Sequence, residues 1–292
     1  MQLILIGGAQ RSGTTLLQTL LANALGSPVL PEAHILVDIL ATFKRARQLG
    51  NKTRFFFSTS EDVLSFFGAF SERYIADVVK RTGPVPALVL KDPHFVELLD
   101  ECSALFSGPI RLVCVRDPLD IAASFVQIGQ RQPIGAKLTK YQKRDIDFIS
   151  KKILAFYLSL INSKRAPVLV RYEDLASKPR ETLEALGRET GLELSLDRIE
   201  SPVWLERDAR HEPAWITELE GQKPSPASIG SFRRVLRPDE VAIVQKICSP
   251  IIKLFGYEAN GTSFKLRGVS RASLTLSERK PLHRMRAEEC PL

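Results

Sequence analysis

One stretch narrows what this chain can fold into more than any other. The apolar run Leu3–Ile6 leads into Gly8-Ala9-Gln10-Arg11-Ser12-Gly13-Thr14-Thr15, and the segment from Thr14 to Ala24 is rich in leucine and alanine. Strand, glycine loop and helix in that order nearly match the phosphate-binding frame G-x-x-x-x-G-K-[ST]. In such a loop, consecutive backbone N–H groups and the helix N-terminus cradle an anion. The competing reading is a glycine turn that only packs strand on helix. The lysine position of the frame holds Thr14, and the positive charge lies inside the loop at Arg11. A nucleotide phosphotransferase uses that lysine on the β- and γ-phosphates with magnesium beside it. A loop of hydroxyls, amides and one arginine suits a group of lower charge, stabilised by fixed donors without a metal.

The remaining pattern predicts the sheet that carries the loop. Ala87–Leu90, Arg111–Val115 and Val168–Val170 are short apolar runs without polar alternation, as strands buried on both faces read. Helical patterns lie between them. Ser60 caps a helix in which Val63, Phe67, Phe70, Tyr74 and Val78 share one face; Pro179 opens another that Gly191 closes; a last one runs from about Pro238 to Phe255 and bends at Pro250. The alternation predicts an α/β fold, a doubly wound and mainly parallel sheet with helices on both faces. One domain over residues 1–259 and an irregular tail over 260–292 are expected. With 292 residues, 44% of them hydrophobic and 25% charged, a sizeable core is expected. The net charge of +8 suits an anionic ligand without identifying it. Cys102, Cys114, Cys248 and Cys290 have neither CxxC nor metal-ligand spacing. Scattered thiols and an opening apolar run too short for a leader or a span predict a cytoplasmic, unanchored protein without a structural metal.

With the motifs in view, AQRSGTTLLQ resembles the 5′-phosphosulfate loop of the sulfotransferases that use 3′-phosphoadenosine 5′-phosphosulfate (PAPS), Gln10 standing for the common proline. A second motif, RLVCVRDPLDIAASF, resembles that family's 3′-phosphate element. Arg116 ends a strand and Ser124 lies two helical turns further on, so both can grip a dianion. Read alone, Asp117-Pro118 is equally a helix cap and Arg116 a surface charge. VLVRYEDL resembles the strand beside the nucleotide, which implies Tyr172 as a contact on the adenine side; capping and packing explain Glu173 and Asp174 as well. SIGSFRRVL resembles the segment that folds over the nucleotide, with Phe232 in the aromatic place and Arg233 and Arg234 as candidates for the 3′-phosphate. A solvated basic turn explains one of that pair equally. The four matches run in order from about residue 3 to 257.

The resemblance implies a PAPS-binding set of Arg11, Ser12, Gly13, Thr14, Thr15, Arg116, Ser124, Tyr172, Arg233 and Arg234, with no metal and no nucleic acid. It implies transfer of a sulfuryl group to a hydroxyl, less readily an amine, of a small molecule, glycan or peptide. Lys91, in LVLKDPHF, resembles a Lys-Asp-Pro element of the tyrosylprotein branch and is assigned to the sulfuryl or bridging oxygen, with Arg11 serving the donor. A lysine paired with Asp92 or Glu97 is the plainer alternative. For the base, Glu32 comes first, as in that branch, then His34, then His94. An imidazole titrates near neutrality unaided, whereas a carboxylate needs tuning. Thr42–Ser60 and Gly129–Lys143 are candidate acceptor linings, or else a helix end and a solvent loop. A P-loop small-molecule kinase and a nucleotide-binding protein without turnover are the rivals.

Overall fold

The computed structural model describes residues 1–48, 50–135, 138–163, 166–199, 222–257 and 269–271. Cys290 and most of the expected tail lie outside them. The sheet is built from β1 (Gln2–Gly8), β2 (Ala87–Lys91), β3 (Ile110–Val115) and β4 (Val168–Arg171), each with a run of buried residues. The order is β2-β1-β3-β4, all parallel, and a short β5 (Val269–Arg271) pairs antiparallel with β4. β5 falls within the expected irregular tail, so these three residues return to the sheet.

Chain order and spatial order diverge at β1. The first crossover leads to β2 on one side, and the next strand, β3, pairs on the other. In open α/β sheets, the crevice at such a switch point, beyond the carboxyl ends of the strands, is where ligands bind. The loop after β1 and the turn after β3 both open there.

Helices cover both faces. On one, α6 (Pro118–Arg131), α7 (Ile146–Asn162) and α11 (Pro238–Phe255) bury Ile121, Phe125, Ile153, Tyr157, Val244 and Phe255. On the other, α1 (Thr14–Leu25), α8 (Tyr172–Ser177) and α9 (Pro179–Thr190) bury Leu17, Leu21, Leu175 and Leu186 against β1, β3 and β4. A third cluster packs α2 (His34–Gln48), α4 (Ser60–Thr82) and the 3₁₀ turn Pro93–Leu98 around Leu36, Phe43, Phe67 and Phe95. Short helices α3 (Asn51–Arg54), α5 (Leu99–Leu105) and α10 (Phe232–Val235) fill the connections. Gly191 closes α9 in the left-handed region, and Pro250 lies inside α11.

Two local expectations are corrected. The cap of α4 is Thr59, whose side chain and Asp62 form a reciprocal capping box; Ser60 is the first helical residue. On the apolar face of that helix, Val63 and Phe67 are buried and Tyr74 and Val78 pack against the same cluster, but Phe70 is 54% exposed. Cys102, Cys114 and Cys248 are buried, unpaired thiols. Among the described residues, no helix is long and apolar enough to cross a membrane.

Candidate active site

The loop after β1 is held in a shape that needs its glycines. Gly8 and Gly13 have φ of 149° and 98°, and Arg11, unusually for a residue with a side chain, has φ of 73°. A Cβ at Gly13 would collide with the Tyr172 ring, and one at Gly8 with the carbonyl of Cys114. Gly13 is also the cap of α1, and no side chain caps that helix. The first amides of α1 therefore point into the loop without a protein acceptor of the capping kind, which is the requirement for binding an anion. Ser12 and Thr14 are buried in the loop; Thr15 is half-buried.

The turn after β3 joins that loop. Arg116, 6% exposed at the end of β3, donates to the carbonyl of Arg11 at 3.0 Å and to that of Ser228 at 2.9 Å. Its Nε is buried without a hydrogen-bond partner among the described residues. Arg11 Nε donates to Ser124 Oγ at 3.2 Å, so the arginine of the first motif reaches the serine of the second. Asp117 does cap α6, accepting from Leu119 N–H at 2.9 Å, and Pro118 is the first helical residue. The capping reading of Asp117 is thus met, and Arg116 is not the surface charge of the plainer reading.

Tyr172 is buried. The Arg116 guanidinium lies 4.3 Å from its ring centre, and its hydroxyl lies 2.5 Å from Ser228 Oγ. This placement makes Tyr172 a support for Arg116 and Gly13. Glu173 accepts from Asp117 N–H at 3.0 Å, from Arg171 Nε at 3.0 Å and from the Tyr257 hydroxyl at 2.9 Å, tying the ends of β3, β4 and α11.

Asp120 is the anchor that sequence reasoning missed. Its carboxylate accepts from Gly230 N–H at 2.8 Å, Phe232 N–H at 3.0 Å and Ser231 Oγ at 3.2 Å. These bonds fasten the segment before α11 onto α6, next to Arg116. Asp120 stands in the first turn of α6, where an acidic residue is explained by the helix dipole, and nothing in its spacing announced a partner 110 residues away. Arg233 and Arg234 ride on this segment and are exposed, with Arg233 folded over the Phe232 ring at 4.6 Å.

Across the crevice, a second group assembles from the end of β2 and the start of α2. Lys91, almost fully buried, donates to Glu32 Oε1 at 2.6 Å. His34 sits on α2 with Nδ1 2.7 Å from Asp92 Oδ2 and Nε2 3.3 Å from Glu32 Oε2. Asp92 is fully buried, and its carboxyl is raised above the usual carboxylate range, chiefly by burial and further by Glu32. Its other oxygen caps the 3₁₀ turn through His94 N–H at 2.9 Å. His94 pairs through its ring with Glu97 at 3.0 Å, the principal cause of its raised pKa. The alternative pairing for Lys91 is therefore corrected: Asp92 faces His34 and Glu97 faces His94, leaving Lys91 to Glu32. The ligand atoms of Glu32, His34 and Asp92 lie within 4.8 Å of one another, a spacing that could hold a cation, yet the Lys91 ammonium already stands against Glu32.

Of the candidate acceptor linings, Thr42–Ser60 presents Phe55 and Phe56 at 84% and 78% exposure, while Phe57 packs on Phe66. Tyr141, from the other lining, stacks on Phe125 of α6 at 5.1 Å with 8° between the ring planes.

Comparison with known proteins agrees with this geometry. A family model described as "Sulfotransferase family" matches residues 3–196, more than half of the chain. Among solved structures, the sulfotransferase domain of the Synechococcus PCC 7002 olefin synthase is similar with a TM-score of 0.53 at 19% identity, over 85% of this chain and 94% of that one, which supports the shared fold. The sulfotransferase domain of the curacin biosynthetic pathway aligns over 100% of this chain and 99% of its own at 18% identity, with a TM-score of 0.38. No curated protein matches. The loop after β1, the arginine and serine that meet it from β3 and α6, and the matched span together place this chain in the sulfotransferase family.

Proposed function

We propose that the protein transfers a sulfuryl group from PAPS to a hydroxyl acceptor by in-line displacement, without a metal. The observation that carries this reading is the coupling of the two phosphate motifs. Arg116 holds the Arg11 carbonyl while the Arg11 side chain reaches Ser124. A nucleotide bearing phosphates at both its 5′ and 3′ ends matches a grip whose two halves fix each other. The α1 amides with Ser12, Gly13, Thr14 and Thr15 take the 5′-phosphosulfate. Arg116, through its unpartnered Nε, and Ser124 take the 3′-phosphate, and Arg233 and Arg234 close over it from the segment anchored on Asp120.

In the transfer, the acceptor oxygen forms a bond to sulfur as the bond from sulfur to the 5′-phosphate oxygen breaks. The acceptor proton goes to a base and the electron pair to the departing phosphate. Lys91 and Arg11 stabilise charge on the sulfuryl oxygens and the bridging oxygen, replacing the cation that a phosphotransferase recruits. Glu32 is the base. His34, backed by Asp92 and facing Glu32, is placed to hold the carboxylate in position or to take the proton onward.

The test is calorimetric titration with 3′-phosphoadenosine 5′-phosphate (PAP, the desulfated product), ADP and ATP, each with magnesium and with EDTA. PAP is expected to bind far more tightly than ADP or ATP, with no change on chelation. Equal affinity for ATP, or an absolute need for magnesium, would favour the kinase reading.

A further inference from the structure

Among the described residues, Lys152 meets aromatic rings and a phenol where its neighbours meet carboxylates. It stands on α7, half-buried, and its Nζ donates to the Tyr141 hydroxyl at 2.8 Å. Two aromatic faces hold it, with Nζ 5.3 Å from the Phe125 ring centre and 5.5 Å from that of Tyr141. Its neighbours find carboxylates: Lys151 pairs with Asp147 at 2.9 Å and Lys140 with Asp145 at 2.9 Å. Among the described residues, no carboxylate pairs with Lys152.

The elements around it place this ammonium beside His94, the residue that follows the Lys-Asp-Pro turn. Phe125 directly follows Ser124, the serine that Arg11 reaches. One turn along α7, Phe156 packs on the His94 ring at 5.1 Å, and Lys152 is close enough to oppose protonation of that ring. His94 N–H in turn bonds Asp92, the residue beneath His34. Further down α7, the Tyr157 hydroxyl donates to the Cys114 carbonyl at 3.2 Å, below the glycine loop. Lys152 therefore lies one turn before Phe156, on the face of α7 that meets His94 and with Phe125 of α6 beside it.

The mount is built for position. Gly129 lets the chain at Tyr141 press on α6, since a Cβ there would strike the Tyr141 backbone. Tyr141 then lies flat on Phe125, and the lysine is fixed by two rings and a phenol instead of by a counter-charge. A lysine held by rings keeps its full charge available, and attraction between a cation and a partly desolvated anion is stronger than in water.

We infer that Lys152 is a specificity-determining residue that binds an anionic group, a carboxylate in the first instance, on the acceptor. The acceptor is then a hydroxy acid and not a neutral alcohol or phenol. His94 takes part little as a cation, because Glu97 already neutralises it. The inference rests on the sulfotransferase reading for the word acceptor, but the anion site itself is testable without turnover.

The experiment is calorimetry on the full chain saturated with PAP, using two matched pairs: 4-hydroxybenzoate with its methyl ester, and 6-hydroxyhexanoate with its methyl ester. In at least one pair, the acid is expected to bind tenfold or more tightly than the ester. Lys152→Met should abolish that preference, Lys152→Arg should keep most of it, and PAP affinity should stay within twofold in both variants. An absence of preference for the acid in both pairs overturns the inference, as does a preference that survives Lys152→Met. A loss in PAP affinity as large as the loss in acid binding would assign Lys152 to the donor phosphates and would equally overturn it. Failure of the sulfotransferase reading shows separately, as PAP binding no better than ATP.

Discussion

The donor side and the acceptor side of the crevice are fastened by different kinds of bond. On the donor side, beside the Arg11–Ser124 bond, the main ties lock side chains to backbone: Arg116 to the carbonyls of Arg11 and Ser228, Asp120 to the amides of Gly230 and Phe232. Backbone atoms persist under substitution, and the grip they define has one shape. On the acceptor side, Glu32, Lys91, His34 and Asp92 contact one another through side chains, and each contact involves a charge. Such a cluster can reorganise when a proton or a substrate arrives. Under the proposed function, the first is a rigid socket for a constant donor and the second a responsive, electrostatic wall for the reaction and its acceptor.

The largest expected effect breaks the acceptor wall while sparing the socket. Glu32→Gln keeps the shape but cannot accept a proton, and turnover should fall by about 10²–10⁴-fold. PAP affinity should be nearly unchanged. The change also removes the counter-charge of buried Lys91, so a fall in Tm is expected, since an uncompensated buried charge is costly. Single-turnover rates measured well below the lowered Tm separate the two consequences. His34→Ala should cost less. If Glu32→Gln turns over normally while the His34 variant is dead, the imidazole backed by Asp92 is the base.

Next in size is a break in the socket. Arg116→Ala removes two bonds to carbonyls and the donor that the proposed function assigns to the 3′-phosphate. Nucleotide binding should weaken by about 1.5–3 kcal/mol, the scale of charged hydrogen bonds, or one to two orders of magnitude in Kd. Preference for PAP over ADP should shrink with it. A variant that binds weakly but retains the whole preference would place the 3′-phosphate elsewhere, with Arg233 and Arg234 the next to examine.

The two sides also differed in how readily the sequence disclosed them. The loop and Arg116 stand at the ends of apolar runs, where strand geometry alone directs them to one edge, so their meeting follows from the parallel order of β1 and β3. Lys91 followed in the same way from the end of β2. Its partner did not: Asp92 and Glu97 were nearer in sequence, but the Asp-Pro turn commits one Asp92 oxygen to capping and leaves the other facing α2, while Glu97 turns to His94. Asp120 and Lys152 were illegible for a related reason. Asp120 is already explained by the dipole at the start of α6, and Lys152 reads as one basic residue among others; only side-chain packing, across 110 residues for Asp120 and 11 for Lys152, shows what each one meets. Charge contacts between remote elements have no period, so they leave no pattern to read.

The smallest effect tests how tightly the socket is closed to water. The Asp117 carboxyl, at the junction of β3 and α6, is pushed up to about 7, first by burial and then by the nearby Asp120 and Glu173 carboxylates, against the opposing bond from Leu119 N–H. In the unfolded chain it titrates near its ordinary value of about 3.9. Between those values the folded state keeps a proton that the unfolded state releases, so this group's contribution to stability falls as pH rises from about 4 to about 7 and is level above that. Asp117→Asn can still accept from Leu119 N–H through its amide oxygen, but it carries no charge at any pH. The variant should therefore gain on the wild type across that window, by about 2–4 °C in Tm at pH 8 relative to pH 4 for each kcal/mol involved. Calorimetric scans at half-unit steps of pH give the difference curve directly. Parallel curves for the two proteins would mean that water reaches Asp117, and that the floor of the socket is looser than its backbone bonds imply.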